Sequence, residues 1–159
     1  MDNDEIFMRR AIELAKEAEV IDEVPVGALI VRDGEIIAEA FNRREGSKCA
    51  THHAEILAIE EACRKMGGWR LPGVTMYVTM EPCVMCAGAI VNARIERVVY
   101  GTSDLRFGAM GSLIDITELP LNHRPNLRRG VLADETKDIL TSYFRNKRKK
   151  PSVSEENDG

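Results

Sequence analysis

No stretch of this 159-residue chain approaches the roughly 18 consecutive apolar residues that a membrane span needs, so a transmembrane protein is not expected. A secretory leader is not expected either. The first residues, Met1-Asp2-Asn3-Asp4-Glu5, are acidic, where a signal would begin basic and turn apolar, and a cytoplasmic protein fits best. Positive charge is not in excess: 22 Lys and Arg face 26 Asp and Glu, for a net charge of −4. Any contact with nucleic acid therefore requires basic residues gathered on one face. Cysteine is scarce, with Cys49, Cys63, Cys83 and Cys86 alone. Without a secretory signal a disulfide framework is not expected, and the Cys83–Cys86 spacing points to metal or redox chemistry. There is no internal repeat and nothing resembling a linker before Pro151. Residues 1–150 read as one domain, and 151–159 as a polar, disordered tail.

What is present is an ordinary globular composition, 44% hydrophobic and 30% charged. From Asp4 to Glu19, Phe7, Ala11, Leu14, Ala15 and Ala18 recur at helical intervals. Two apolar runs, Val26–Val31 and Ile36–Phe41, flank Asp33-Gly34 and predict a β-hairpin. A second helix is expected from His53 to Met66, with Ile56, Ile59, Ala62 and Cys63 inward and Gly67-Gly68 ending it. The run Val74–Met80 alternates as a strand, Cys83–Arg94 as a helix and Arg97–Tyr100 as a short strand. Residues 102–112 read as a loop that could border a site, and 112–131 show no clear pattern. A last helix, Asp134–Lys149, carries Ile139, Leu140, Tyr143 and Phe144 as its apolar stripe and ends in the basic cluster Arg145, Lys147, Arg148, Lys149 and Lys150. Strand–helix–strand crossovers require parallel strands, so an α/β fold with a mixed sheet covered by helices on both faces is expected.

Two short motifs carry the chemistry: His53-Ala54-Glu55 and, about thirty residues on, Pro82-Cys83-Val84-Met85-Cys86. Cys83 and Cys86 on a first helical turn share a face, and the positive end of the dipole favours thiolates, the form that binds zinc. A redox pair or two core cysteines would leave His53 unexplained. In mid-helix, His53 and Glu55 would point apart, so both reach one point only if the helix end itself aims at it. One imidazole and two thiolates leave zinc's fourth position open for water, whereas a structural site would be closed by a fourth side chain, with Cys49, His52 and His123 the candidates. Zinc supplies hydroxide at neutral pH, and Glu55 stands two residues from a ligand, placed to move the water's proton.

At these residues the chain resembles the zinc-dependent cytidine/adenosine deaminase superfamily. Beyond the signature, Glu23-Val-Pro-Val-Gly-Ala28, Asn42-Arg43-Arg44-Glu45, Gly68-Trp69-Arg70-Leu71, Tyr77–Gly88, Asn122-His123-Arg124, Gly130–Asp134 and Tyr143-Phe144-Arg145 are similar to its tRNA-editing adenosine deaminase branch. The resemblance implies a three-layer α/β/α cytidine-deaminase-like fold with a mixed five-stranded sheet. It also implies one zinc ion per subunit on His53, Cys83 and Cys86, with Glu55 as the catalytic proton carrier. The implied reaction is hydrolytic deamination of the wobble adenosine (position 34) of a tRNA anticodon stem-loop to inosine, by a homodimer. Asn42, the backbone of Ala54 and Pro82 fall on substrate-binding positions. Arg70, Arg106, Phe107, Arg124, Arg145, Lys147 and Arg148 are the expected RNA contacts, by phosphate pairing and base stacking. The chain departs from many members in reading Cys49-Ala50-Thr51-His52 before the His-Ala-Glu motif. Two rivals are a deaminase of free guanine, cytosine or a nucleoside, for which the basic helix end has no use, and a non-catalytic zinc module binding RNA, for which Glu55 has none.

Overall fold

A computed structural model describes residues 2–149. The expected tail and Lys150 lie outside the described residues. Helix α1 (Asn3–Val20) begins where Asp2 accepts the Glu5 N–H at 2.9 Å, with Asp4 and Glu5 at the positive end of its dipole. It buries Met8, Ala11, Ile12, Leu14, Ala15 and Ala18, with Phe7 packed at the margin. Strands β1 (Gly27–Arg32) and β2 (Glu35–Phe41) form the expected hairpin. Asp33 and Gly34 both take positive φ (52° and 79°) at its turn, as a type I′ turn demands.

The short helix α2 (Arg44–Ser47) has no counterpart in the sequence pattern, because four residues carry no readable period. Then come α3 (Ala54–Met66), β3 (Val74–Met80), α4 (Val84–Ala93) and β4 (Arg97–Thr102). The unpatterned stretch 112–131 holds a 3-10 turn at Ile116–Glu118 and a three-residue edge strand, β5 (Asn126–Arg128), before α5 (Ala133–Lys149). No helix among the described residues is long and apolar enough to cross a membrane.

The sheet order is β2-β1-β3-β4-β5. Strand β1 is antiparallel to both β2 and β3, while β3, β4 and β5 run parallel. The expected mixed sheet of five strands is therefore present, with α1 and α5 on one face and α3 and α4 on the other. Helix α3 differs from expectation in detail. Its buried seam is Ala54, Glu55, Ala58 and Ala62, while Ile56 and Ile59 are half-buried. Small side chains let α3 lie close against the sheet, and the larger isoleucines fill its margins. On the other face α1 comes equally near: a Cβ on Gly27 would stand 2.1 Å from the Ala11 carbonyl oxygen.

Strands β2 and β3 oppose β1, and β4 follows β3, so β2, β3 and β4 all end at one edge of the sheet. Asn42, the start of α3 and the start of α4 lie there. Open α/β sheets bind ligands outside the carboxyl ends of their strands.

Candidate active site

His53 and Cys83 are the N-caps of α3 and α4, and both are extended (φ −75°, ψ 155° and φ −75°, ψ 178°). That conformation explains how His53 and Glu55 serve one site. His53 precedes the helix and is not bound by its turn of about 100° per residue, while Glu55 is the second helical residue. Cys83 likewise stands before α4, with Cys86 in its first turn.

The His53 Nδ1 atom lies 3.7 Å from Cys83 Sγ and 3.5 Å from Cys86 Sγ, and the three ligand atoms are mutually within 4.8 Å. Zinc bonds of about 2.3 Å to sulfur and about 2.0 Å to nitrogen, at a tetrahedral angle, separate N from S by about 3.6 Å. The cluster therefore fits a tetrahedral zinc ion. A hydrogen bond from Cys86, then the His53 contact, holds the Cys83 thiol down to about 4 against the cost of burial. Its hydrogen bond to Cys83 and burial push the Cys86 thiol up, and Cys83 raises His53. One thiolate thus stands among proton donors that a divalent cation displaces on binding.

Among the described residues no fourth His, Cys or carboxylate joins this cluster. Cys49 Sγ contacts Thr51 Oγ1 at 3.4 Å, and His123 Nε2 meets the Ile95 carbonyl at 2.6 Å. Neither closes the coordination sphere. His52 Nδ1 is buried without a hydrogen-bond partner.

Beside the cluster is a pocket of about 360 Å³. Its walls include Asn42, Arg44, His53, Ala54, Glu55, Glu81, Cys83, Asp104, Phe107 and Phe144, with Val24, Val26, Met80 and Leu140 as apolar lining. Glu55 is 5% exposed, and burial pushes its carboxyl up to about 7. A carboxyl so placed exchanges a proton near neutral pH. Asn42 is buried, and its Oδ1 has no hydrogen-bond partner.

The family model for MafB19-like deaminases matches residues 1–148. The tRNA-specific adenosine deaminase of Bacillus subtilis (strain 168) is 47% identical over 158 residues, covering 99% of this chain and 98% of that protein. The chain belongs to the tRNA-specific adenosine deaminase family. It is also similar to a solved tRNA:A34 deaminase, studied for A-to-I editing at the wobble position of transfer RNA (TM-score 0.81, 43% identity, 84% of this chain and 98% of that one). A solved guanine deaminase from Bacillus subtilis is further away (TM-score 0.62, 32% identity, 96% and 99% covered).

In this deaminase the residues expected at the site divide into two groups. His53, Ala54, Glu55, Cys83, Asn42 and Phe107 line one pocket, with Cys86 buried behind it. Pro82 is buried outside the lining, and its carbonyl accepts the Ala109 N–H at 2.9 Å. Arg106, Lys147 and Arg148 form, with Phe144, a second hollow. Phe144 belongs to both walls. Arg70 and Arg124 lie on the surface outside both hollows, Arg70 stacked 4.7 Å over the Trp69 ring, and Arg145 is exposed on α5.

Helical period places Phe144 in the buried stripe of α5, yet it is 43% exposed. Sequence reasoning also missed Arg44, Asp104, Glu81 and Glu23. Glu81 is buried and accepts N–H bonds from Asp104, Met110 and Ser112 (3.0–3.1 Å), along with the Ser112 hydroxyl. That carboxylate ties down the 104–112 loop. Its place two residues ahead of Cys83 was the only sign of it in the sequence.

Proposed function

We propose that this deaminase converts the wobble adenosine, position 34 of a tRNA anticodon, to inosine by zinc-dependent hydrolysis. The observation that carries the substrate is that the basic hollow adjoins the pocket, with Phe144 in the walls of both. A base drawn out of its loop enters the pocket, while Arg106, Lys147 and Arg148 meet its phosphates and the exposed rings of Phe107 and Phe144 meet neighbouring bases. A free nucleobase leaves all of these unused.

His53, Cys83 and Cys86 hold the zinc ion, one per chain. Zinc, when bound, activates water at neutral pH. Asn42 and the first-turn N–H of Ala54 hold the base by its polar edge, since the opening N–H groups of a helix have no intrahelical partner. Glu55 takes the proton of the attacking water and returns it to the substrate. As the C6–O bond forms that proton goes to N1; the proton left on the added hydroxyl then goes to the amine, the C6–N bond breaks, ammonia leaves, and the oxygen stays on C6 as the carbonyl of inosine. Walls of Val24, Val26, Met80 and Leu140 exclude bulk water from this exchange.

The protein works in the cytoplasm as a homodimer. Leu113, Ile114, Leu119 and Leu121 are each about half exposed along one segment, an apolar surface that a second copy would cover. The function is tested by incubating purified, zinc-loaded protein with an anticodon stem-loop and, separately, with free adenine, guanine and cytosine. Inosine in the stem-loop, with the free bases untouched, is the expected result. Ammonia from free guanine beside an unedited stem-loop would replace this reading with a small-base deaminase.

A further inference from the structure

Glu23 is 1% exposed and belongs to neither the metal cluster nor the pocket wall. It sits in the turn between α1 and β1, and its backbone N–H is bound to the Ala18 carbonyl at 2.9 Å. Its carboxylate accepts three hydrogen bonds: from Gly46 N–H at 2.6 Å, from Glu45 N–H at 3.2 Å and from Asn42 Nδ2 at 3.5 Å. The first two come from the opening turn of α2 and fix where the carboxylate stands.

The third has a chemical consequence. A carboxylate accepts and does not donate, so it meets the amide nitrogen of Asn42 and repels the amide oxygen. Turning the amide over would set Oδ1 against a negative oxygen. With its nitrogen directed at Glu23, Asn42 has its acceptor Oδ1 buried and without a partner in the protein. A buried, unpartnered acceptor on a pocket residue is costly until a ligand supplies a donor.

We propose that Glu23 is a positioning residue that locks the Asn42 amide with its nitrogen held back, so that Asn42 meets the bound adenosine with its acceptor oxygen. This rests on the substrate reading above. In a polynucleotide, adenosine can answer with its exocyclic amine or with the 2′-hydroxyl. A nucleoside presenting an acceptor at the same point meets repulsion, so Glu23 sets selectivity without touching the substrate.

The test exchanges hydrogen-bonding character across the pair and reads kcat and KM on an anticodon stem-loop, with zinc content and thermal melting measured beside them. Glu23→Gln can donate to Oδ1 and lets the amide turn over. It is expected to lower kcat/KM about tenfold or more while zinc content stays at the wild-type level. Asn42→Asp alone sets two carboxylates together and is expected to lose more. The double variant Glu23→Gln/Asn42→Asp restores a donor facing an acceptor and still offers the substrate an oxygen, so it is expected to exceed Asn42→Asp alone by about tenfold.

A merely structural glutamate predicts the opposite order, since two damaging changes accumulate. A double variant no better than Asn42→Asp, or Glu23→Gln at wild-type kcat/KM, overturns the proposal while leaving the tRNA reading intact. A wild-type protein that leaves the stem-loop unedited overturns both. A stem-loop with 2′-deoxyadenosine at the target separates the two donors. It costs the wild type but not Asn42→Ala if the hydroxyl is the partner, and costs both alike if the amine is.

Discussion

In the proposed mechanism three side chains hold the cation and a fourth moves protons, and the four stand at different backbone positions. His53 and Cys83 stand just outside their helices, Cys86 is in a first turn, and Glu55 is buried against the sheet. Removing a ligand and removing the proton carrier therefore have different signatures. Cys83→Ala is expected to lose zinc and activity together. Cys49→Ala is expected to keep both, because Cys49 pairs with Thr51 and lies outside the cluster. Glu55→Ala is expected to retain one zinc per chain while turnover falls about 100-fold or more, the usual size of a general acid–base effect. Zinc content by elemental analysis and single-turnover editing would check the set. A Glu55→Ala protein working at above about a tenth of the wild-type rate would remove Glu55 from the chemistry.

At the scale of elements, two pieces of chain meet at the mouth of the pocket. One is the 104–112 loop, whose tip carries Arg106 and Phe107 (65% exposed) and whose base is tied to Glu81. Gly108 allows the close approach, since a Cβ there would come within 2.4 Å of the Glu81 carboxyl group. The other is the last part of α5, where Phe144, Lys147 and Arg148 share a face at helical spacing. Leu140, a turn earlier on that face, and the neighbouring Tyr143 are buried, and Tyr143 reaches Asp22 through its hydroxyl (3.2 Å), so the basic end is held in place. Replacing Arg106, Lys147 and Arg148 together by alanine is expected to leave zinc bound and the fold intact while weakening stem-loop binding. The plot of log affinity against log salt should flatten by about 2, at roughly 0.7–0.9 for each phosphate that is no longer neutralised. Binding titrations at several salt concentrations measure this, and an unchanged slope would remove the basic end of α5 from RNA recognition.

Across the whole molecule, one carboxylate joins the beginning of the chain to its last strand. Asp4 accepts from Arg97 on β4 (2.7 and 2.8 Å), from Arg128 on β5 (2.6 Å) and from the Tyr77 hydroxyl on β3 (2.7 Å). The Arg97 guanidinium first, then Tyr77 and Arg128, hold its carboxyl well below the ordinary 3.8 despite the opposing cost of burial. A carboxyl lowered in the folded state stabilises the protein above its unfolded value, and that contribution is lost as pH falls. Both arginines are partly exposed, which tempers the gain. Asp4→Asn is expected to cost about 2 kcal/mol at pH 7, a fall of about 6 °C in melting temperature. Melting curves of the two proteins should draw together as pH drops below about 4, where the unfolded carboxyl takes up its proton. A gap that stays constant from about pH 7 to about pH 3 would show that the Asp4 charge contributes nothing.

Local signals were legible because their causes lie within a few residues: the apolar period of α1, the Asp33-Gly34 turn, the Gly67 stop and the Pro-Cys-x-x-Cys opening of α4. The clustering of His53, Cys83 and Cys86 beside Glu55 was readable for the same reason, since each motif sits at a helix start that its own neighbours define. What lies between elements was not. Strand β5 has three residues and half-buries only Leu127, too little for a pattern, and its place depends on pairing with β4 and on Arg128 reaching Asp4. Phe144 looked like core because helical period shows a side chain's direction and not whether another element covers it. Glu23 and Glu81 carried no individual signal, because what buries a charged residue is partners that come from elsewhere in the chain. Gly46 lies 23 positions from Glu23, and Ser112 lies 31 from Glu81. Only the order β2-β1-β3-β4-β5, which brings the ends of distant strands to one edge, sets those donors against the carboxylates and turns Asn42 from a hairpin residue into a wall of the pocket.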